Sequence, residues 1–190
     1  MNKLLIVDGN SIANRAFYAL PFLSNHDGRP SGAVFGFANI LIKLISQEMP
    51  SHIVIAFDHA RKTFRNELYS EYKMQRKPTP EELISQFAVI KEMLSCMDIK
   101  VLEFAGIEAD DIIGTIAKSY SGEKFILSGD RDLLQLIDDR TTVWLTKKGV
   151  SEVDKVDENR LRELYNLRPS QIIDLKALMG DSSDNIPGVK

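Results

Sequence analysis

Carboxylate side chains are concentrated in one stretch of the sequence, residues 107–114, which reads IEADDIIG. Glu108 and Asp111 are three positions apart, so they share one face of a helix that the following apolar residues would continue, with Asp110 beside them. The helix dipole favours acidic residues in a first turn, and this is sufficient to explain a single such residue. Three acids this close repel one another unless a cation binds them, which favours a functional interpretation.

Four further apolar segments of the chain also end in acidic residues. The carboxylates that we group into one candidate site are Asp8, Asp58, Glu108, Asp110, Asp111, Asp130, Asp132, Asp181 and Asp184. Carboxylate oxygens are the ligands that Mg²⁺ and Mn²⁺ prefer, and a group this dense can hold two or more ions. Two ions about 3.5–4 Å apart can activate water and stabilise the leaving oxygen of a phosphodiester without a histidine or cysteine base. The acids therefore predict a Mg²⁺ or Mn²⁺ site that hydrolyses phosphodiesters.

A basic segment follows the acid at position 58. Residues 61–77 read RKTFRNELYSEYKMQRK and contain six basic and two acidic residues, with aromatic residues between them. Cations neutralise phosphates and aromatic rings stack on bases, so this composition suits a nucleic-acid strand. Taken alone, the segment is more typical of a solvated surface loop or helix. Its place directly after Asp58 favours nucleic-acid binding.

Strand and helix patterns alternate along the chain and position these residues. Continuous apolar runs predict strands at 3–7, 52–57, 100–104, 124–127 and 141–145, with a turn after Asp8. Helical spacing predicts helices at 32–49, 80–97 and 108–121, and two shorter ones at 157–165 and 169–179. The alternation predicts an α/β fold with a doubly wound, mostly parallel sheet flanked by helices. Ligands of such sheets bind beyond the carboxyl ends of the strands, where the nine acids lie.

The composition is that of a soluble globular chain: 190 residues, 44% hydrophobic and 27% charged. The opening residues, MNKLLIVDGNS, do not resemble a signal peptide, and no segment reaches the ~20 apolar residues of a membrane span, so we expect a cytoplasmic protein with no membrane partner. The net charge of −3 argues at first against a nucleic-acid partner. If divalent ions neutralise the nine acids, the rest of the chain is net positive, as a phosphate-binding protein requires.

Five ordered motifs resemble a known family. The stretches LLIVDGNS, IAFDHARKTFRNELYSEYKMQRKPTP, EADD, SGDRDLLQL and GDSSDNIPGVK resemble the 5′-nuclease (flap endonuclease) domain found at the N-terminus of bacterial DNA polymerase I and as free-standing bacterial 5′–3′ exonucleases. The resemblance covers essentially the whole chain. It implies a PIN-like core that hydrolyses DNA in replication and repair. The implied partners are DNA with a 5′ single-stranded end or flap and a DNA polymerase, fused or separate; we expect a monomer.

The resemblance also assigns roles to individual residues. One implied metal group comprises Asp8, Asp58, Glu108, Asp110 and Asp111, and the second comprises Asp130, Asp132, Asp181 and Asp184. Arg65 and Lys73 join the first group as candidate catalytic residues. The candidate substrate-binding residues are Arg15, Arg61, Arg65, Tyr72, Lys73, Arg76 and Lys77.

The same resemblance implies a division of the chain. Residues 1–150 would form the α/β nuclease core, in which residues 61–80 are a helical arch that passes a single-stranded 5′ end. Residues 151–190 would begin a C-terminal helical DNA-binding region that is incomplete, because the family continues after GDSSDNIPGVK with a helix–two-turn–helix segment that grips duplex phosphates. We therefore expect cleavage to be impaired without that segment.

Two other functions remain open from the residues. A PIN-type ribonuclease would share the sheet and the clustered acids, but it would not need the basic segment or the pair Asp181 and Asp184. A non-catalytic nucleic-acid-binding module would be expected to lose some of the acids, since clustered carboxylates cost stability without metal. Both alternatives predict a pattern that differs from the one in this sequence.

Overall fold

The computed structural model describes residues 2–21, 23–59, 63–147 and 152–189. Its strands are β1 (Lys3–Asp8), β2 (His52–Ala56), β3 (Lys100–Leu102), β4 (Glu123–Ser128), β5 (Thr141–Thr146) and β6 (Val153–Val156). Its α-helices are α1 (Gly9–Ala19), α2 (Gly32–Glu48), α3 (Phe64–Leu68), α4 (Glu81–Cys96), α5 (Ala109–Ser119), α6 (Glu158–Tyr165) and α7 (Gln171–Met179). A 3-10 helix spans Asp132–Leu136.

The strands form one sheet in the order β3-β2-β1-β4-β5-β6. Strands β1 to β5 run parallel to their neighbours, and β6 is antiparallel to β5. The chain winds outwards from β1 in one direction and from β4 in the other, so the strand order reverses between these two. The predicted doubly wound, mostly parallel sheet is confirmed, and its switch point is where such sheets bind ligands.

Apolar side chains cover both faces of the central strands. Leu5 and Val7 of β1 pack with α1, α2 and α4 on one face, whereas Leu4 and Ile6 pack with α5, α6 and α7 on the other. Because both faces of the sheet are covered, successive residues of a central strand are apolar, which explains the continuous apolar runs in the sequence. A sheet with one face in solvent would instead show alternating apolar and polar residues. The carboxyl ends of β1 and β4 are thus held on a core that is buried on both sides.

The turn predicted after Asp8 is wrong, because helix α1 begins at Gly9 with no intervening loop. The Asp8 carboxylate caps this helix by accepting a hydrogen bond from the backbone N–H of Ser11 at 2.9 Å. Glycine suits the junction, since a Cβ on Gly9 would lie 2.4 Å from the ring of Phe57. The last residue of β1 is therefore also the cap of α1, which fixes the position of its side chain.

Strand β6 is the second element that the sequence did not predict. Of its four residues only Val156 is buried, and the two charged residues between the valines interrupt any apolar run that would predict a strand. It follows the boundary placed at residue 150, yet it pairs with β5 in the same sheet. Leu161 of α6 and Ile172 of α7 then pack on one face of that sheet. Within the described ranges, no helix is both long and apolar enough to cross a bilayer.

Candidate active site

A cleft of about 1700 Å³ lies at the carboxyl ends of β1, β2 and β4. Seven of the nine candidate acids line it: Asp8, Asp58, Glu108, Asp110, Asp130, Asp132 and Asp184. Residues of the basic segment line it too, namely Tyr72, Lys73, Arg76 and Lys77. The structure thus brings together acids and bases that are up to 176 positions apart in the sequence, from Asp8 to Asp184.

The charges of Asp58 and Asp130 act on the carboxyls of Asp8 and Asp110, and we call these four residues the coupled acids. Burial, followed by the charges of Asp8, Asp130 and Asp58, raises the pKa of Asp110 to about 8. The pKa of Asp8 is raised to about 6, chiefly by burial and in part by Asp58 and Asp130. Deprotonating these carboxyls together is therefore unfavourable, and a bound divalent cation would remove that penalty.

Backbone and helix geometry hold the coupled acids in place. Asp8 ends β1, and Asp110 lies in the first turn of α5. Asp58 follows β2, and its Oδ1 accepts a hydrogen bond from the N–H of Ala109 at 2.7 Å, at the start of α5. Asp130 follows β4. The carboxyl ends of three parallel strands and the N-terminus of helix α5 thus meet at the cleft. Parallel sheets bind ligands at this edge, and the dipole of a helix favours negative charge at its N-terminus.

Glu108 and Asp184 are bound by the basic segment. Lys73 Nζ lies 2.7 Å from Glu108 Oε2 and 3.9 Å from Asp184 Oδ2. The hydroxyl of Tyr72 lies 3.2 and 3.1 Å from the same two oxygens, and Arg76 forms an ion pair with Asp184 Oδ1. Burial, followed by the charges of Glu108 and Asp184, raises the pKa of Tyr72, so its hydroxyl remains a neutral donor.

Asp111 is engaged by Arg65 of helix α3. The guanidinium binds it in a bidentate way, with Nη1 2.6 Å from Oδ2 and Nη2 2.8 Å from Oδ1. These hydrogen bonds lower the pKa of Asp111. Both oxygens of Asp111 therefore face a cation of the chain, unlike the coupled acid Asp110 that precedes it.

Lys176 of helix α7 joins two of the remaining acids. Its Nζ lies 2.8 Å from both Asp132 Oδ1 and Asp181 Oδ2. Burial raises the pKa of Asp132. Burial also acts to raise the pKa of Asp181. Hydrogen bonds from Lys176 and Ser183 outweigh this effect and hold the pKa of Asp181 well below its usual range.

The structure does not bring the second predicted metal group together as one cluster. Asp130 lies with the coupled acids, Asp132 and Asp181 share Lys176, and Asp184 lies beside Glu108. In the part of the chain that the structure describes, no three acidic, histidine or cysteine side chains converge closely enough to hold a metal ion. The donor chemistry still fits Mg²⁺ or Mn²⁺, because carboxylate oxygens line a polar cleft. The metal assignments remain predictions.

The other predicted substrate-binding residues are Arg15, Arg61 and Lys77. Arg15 of α1 donates a hydrogen bond to the carbonyl oxygen of Lys147 and lines a second pocket, whose residues Ser11 and Tyr18 also line the main cleft. Arg61 falls outside the described residues. Lys77 lines the main cleft beside the other bases.

Three residues that contact the acids were missed by the sequence analysis. Thr63 Oγ1 lies 3.2 Å from Glu108 Oε1, Ser128 Oγ lies 2.6 Å from Asp8 Oδ2, and Lys176 bridges two acids. Ser128 stands inside the quoted SGDRD motif and could have been found from it. The contacts of Lys176 could not be predicted, because the sequence does not indicate which helix packs beside Asp132.

The free energy of unfolding should depend on pH through the coupled acids. A folded-state pKa of about 6 for Asp8 and about 8 for Asp110 means that the folded chain keeps protons that the unfolded chain, with carboxyl pKa values near 4, has released. In EDTA, stability from these groups should therefore decrease as the pH rises from about 5 to 8.5. Urea denaturation across that range measures the decrease, which Asp110→Asn should flatten.

The matched control is Asp139→Asn, because the Asp139 side chain is 82% exposed. The control should retain the slope of the unaltered chain. Equal slopes in the Asp110→Asn and Asp139→Asn variants would contradict the coupling.

Comparison with known proteins identifies the family. The model of the family described as "5′-3′ exonuclease, N-terminal resolvase-like domain" matches residues 3–166. DNA polymerase I of Bacillus subtilis (strain 168) is 51% identical over 190 residues, covering 98% of this chain and 22% of the polymerase. DNA polymerase I of Bacillus caldotenax is 48% identical over 190 residues, with the same two coverages. The chain thus spans about a fifth of the length of these curated relatives.

Solved structures share the fold. T5 5′-exonuclease with bound divalent zinc ions matches with a TM-score of 0.79 at 26% identity, over 100% of this chain and 70% of that one. The flap endonuclease D15 of bacteriophage T5, in a pseudo-enzyme-product complex with DNA and metal ions, matches with a TM-score of 0.76 at 25% identity and the same coverages. Since the family model covers most of the sequence, the chain belongs to the 5′-3′ exonuclease family, as its N-terminal resolvase-like domain.

Proposed function

We propose that the chain is a divalent-metal-dependent 5′–3′ exonuclease and 5′-flap endonuclease domain that hydrolyses DNA phosphodiester bonds. The observation that carries this proposal is the cleft at the switch point, in which the coupled acids lie beside the basic segment. Acids suited to metal ions and cations suited to phosphates are the two components that hydrolysis of a phosphodiester requires. The related flap endonuclease of bacteriophage T5, solved with DNA and metal ions, supports it.

We assign Mg²⁺ or Mn²⁺ to the coupled acids, with the other five candidate carboxylates as further ligands. When bound, such ions supply a hydroxide at neutral pH and stabilise charge on the leaving oxygen. The chain holds the acids in position through its backbone and hydroxyl groups: Ser11 and Ser128 each donate to one oxygen of Asp8, and Ala109 donates to Asp58. These donors leave the remaining lone pairs of both carboxylates available.

The cations of the basic segment have two roles in this proposal. Without divalent ions, Lys73 and Arg76 neutralise Glu108 and Asp184. Once divalent ions neutralise the acids, the same two cations are free to bind phosphate groups of the DNA strand. Tyr72 lies between the two acids, and its hydroxyl donates to them while its ring is buried beneath Lys73, so we give it a role in positioning the acids and the lysine.

The relatives also indicate a partner. They are DNA polymerases, and this chain matches about a fifth of their length. We therefore include a DNA polymerase, joined to this domain or acting beside it, in the proposal. The similarity to the flap endonuclease of bacteriophage T5 supports a 5′ single-stranded end or flap as the substrate.

The first test is cleavage of a labelled 5′-flap DNA. We expect cleavage in Mg²⁺ and none in EDTA, and Asp110→Asn should lower the rate by about a hundredfold, because it removes one coupled carboxylate. Asp139→Asn is the control and should cut at the rate of the unaltered chain.

An RNA flap of the same sequence distinguishes the alternatives. Faster cleavage of RNA than of DNA would identify a ribonuclease instead. Binding of DNA with no cleavage in Mg²⁺ or Mn²⁺ would point to a non-catalytic module.

The second test concerns the basic segment. Replacing both Lys73 and Arg76 with alanine should weaken binding of single-stranded DNA, because two phosphate contacts are lost. The slope of log K against log salt concentration should become shallower by roughly 0.7 per lost contact. Fluorescence anisotropy at several salt concentrations measures this slope. The control is Lys100→Ala, because Lys100 is at the amino end of strand β3 and the cleft lies at the carboxyl ends of the strands. A double variant with the slope of the unaltered chain would rule out this segment as the phosphate-binding surface.

A further inference from the structure

A buried hydroxyl connects two of the coupled acids. Ser128 is the last residue of β4 and is 0% exposed. Its Oγ donates to Asp8 Oδ2 at 2.6 Å and accepts from the backbone N–H of Asp130 at 3.0 Å. One side chain therefore joins the acid that ends β1 to the acid that follows β4. These two strands are neighbours where the strand order reverses.

A second serine, Ser11 of helix α1, completes the connection from the other side of Asp8. The backbone N–H of Ser11 donates to Asp8 Oδ1 at 2.9 Å, and Ser11 Oγ accepts from the N–H of Gly129 at 2.8 Å. Both oxygens of Asp8 are thus held, each by a different serine. Gly129 packs closely against Ser11, because a Cβ on Gly129 would lie 3.0 Å from Ser11 Oγ.

We propose that Ser128 is a positioning residue for the nuclease reaction, acting through Asp8 and Asp130. Its hydroxyl fixes the orientation of the Asp8 carboxylate and the path of the chain into Asp130, so that both acids are presented to the same divalent ion. This inference rests on the proposed function. A carboxylate held at one oxygen can still pivot about that contact, whereas hydrogen bonds on both oxygens prevent this, and small displacements of reacting groups are costly to catalysis.

The contacts of Ser128 distinguish positioning from simple packing. Its Oγ is used both as donor and as acceptor, and both partners are groups of candidate metal ligands. Thr146 on β5 provides the contrast, because it is also buried but its Oγ1 has no hydrogen-bond partner among the described residues. Removing the hydroxyl of Thr146 should therefore alter packing without altering the acids.

The test compares Ser128→Ala, Ser128→Thr and, as the control, Thr146→Val. Calorimetric titration with Mn²⁺ should show that Ser128→Ala weakens binding by about 10- to 100-fold, the usual effect of removing a group that orients a ligand. On flap DNA, kcat should fall by a similar factor with KM unchanged, since the basic segment is untouched. Ser128→Thr keeps the hydroxyl and should restore both values, and Thr146→Val should match the unaltered chain.

A measurement without metal provides a separate readout. In EDTA, the amide of Asp130 should exchange its hydrogen faster in Ser128→Ala than in the unaltered chain or in Thr146→Val. If Ser128→Ala does not fold, Ser128→Cys, which has nearly the same shape but a weaker hydrogen bond, should show the same changes with smaller factors.

Two results would overturn the positioning role while leaving the proposed function intact. One is an active unaltered chain beside a Ser128→Ala variant with the same Mn²⁺ affinity and kcat. The other is an Asp130 amide that exchanges at the same rate in folded Ser128→Ala as in the unaltered chain, which would show that the hydroxyl does not hold the chain at Asp130. Failure of the unaltered chain to bind Mn²⁺ or to cleave DNA would instead overturn the proposed function, and the positioning role with it.

Discussion

Burial of carboxylates that also repel one another is the constraint on which this structure depends. Asp8, Asp58 and Asp130 lie near Asp110, and burial, followed by repulsion from their charges, raises the pKa of Asp110 to about 8. Such an arrangement costs stability, so the fold must offset it elsewhere. It does so with hydrogen bonds to the acids and with a large core on both faces of the sheet. The same repulsion creates the affinity for a divalent cation that we propose.

The other acids satisfy this constraint differently, because each has a cation of the chain beside it. Arg65 binds Asp111, Lys73 and Arg76 bind Glu108 and Asp184, and Lys176 binds Asp132 and Asp181. Lys176 and Asp181 are close in the sequence, but in the other pairs the base comes from a segment far from the acid. Charge balance in the cleft therefore also holds α3, α7 and the turn at Asp184 against the core. In the function that we propose, divalent ions and DNA phosphates would replace partners in the pairs that Lys73 and Arg76 form, which would connect substrate binding to the packing of the segments that carry them.

The sequence was sufficient for the five parallel strands and for bringing seven of the nine acids to one cleft. Apolar runs such as 3–7 and 52–57 are long and bounded by polar residues, so their strands could be predicted with accurate ends, and parallel strands place their following residues at one edge. Two elements were missed for physical reasons. Helix α1 begins directly after β1, so no loop marks it, and β6 lies at the sheet edge, where polar residues are tolerated.

The pairing of acids with bases could not be predicted, because it depends on tertiary packing. Nothing in the local pattern around Asp132 indicates that Lys176 approaches it, and nothing near Glu108 indicates Lys73. The division of the acids into two groups came from family resemblance, and the structure arranges Asp130 with the first group.

Anomalous scattering from crystals grown with Mn²⁺ tests the central claim most directly, because it locates the ion without reference to activity. We predict a manganese peak about 2.0–2.2 Å from carboxylate oxygens of the coupled acids Asp8, Asp58, Asp110 and Asp130. A well-occupied manganese position elsewhere on the surface, with these four carboxylates free of metal, would contradict it.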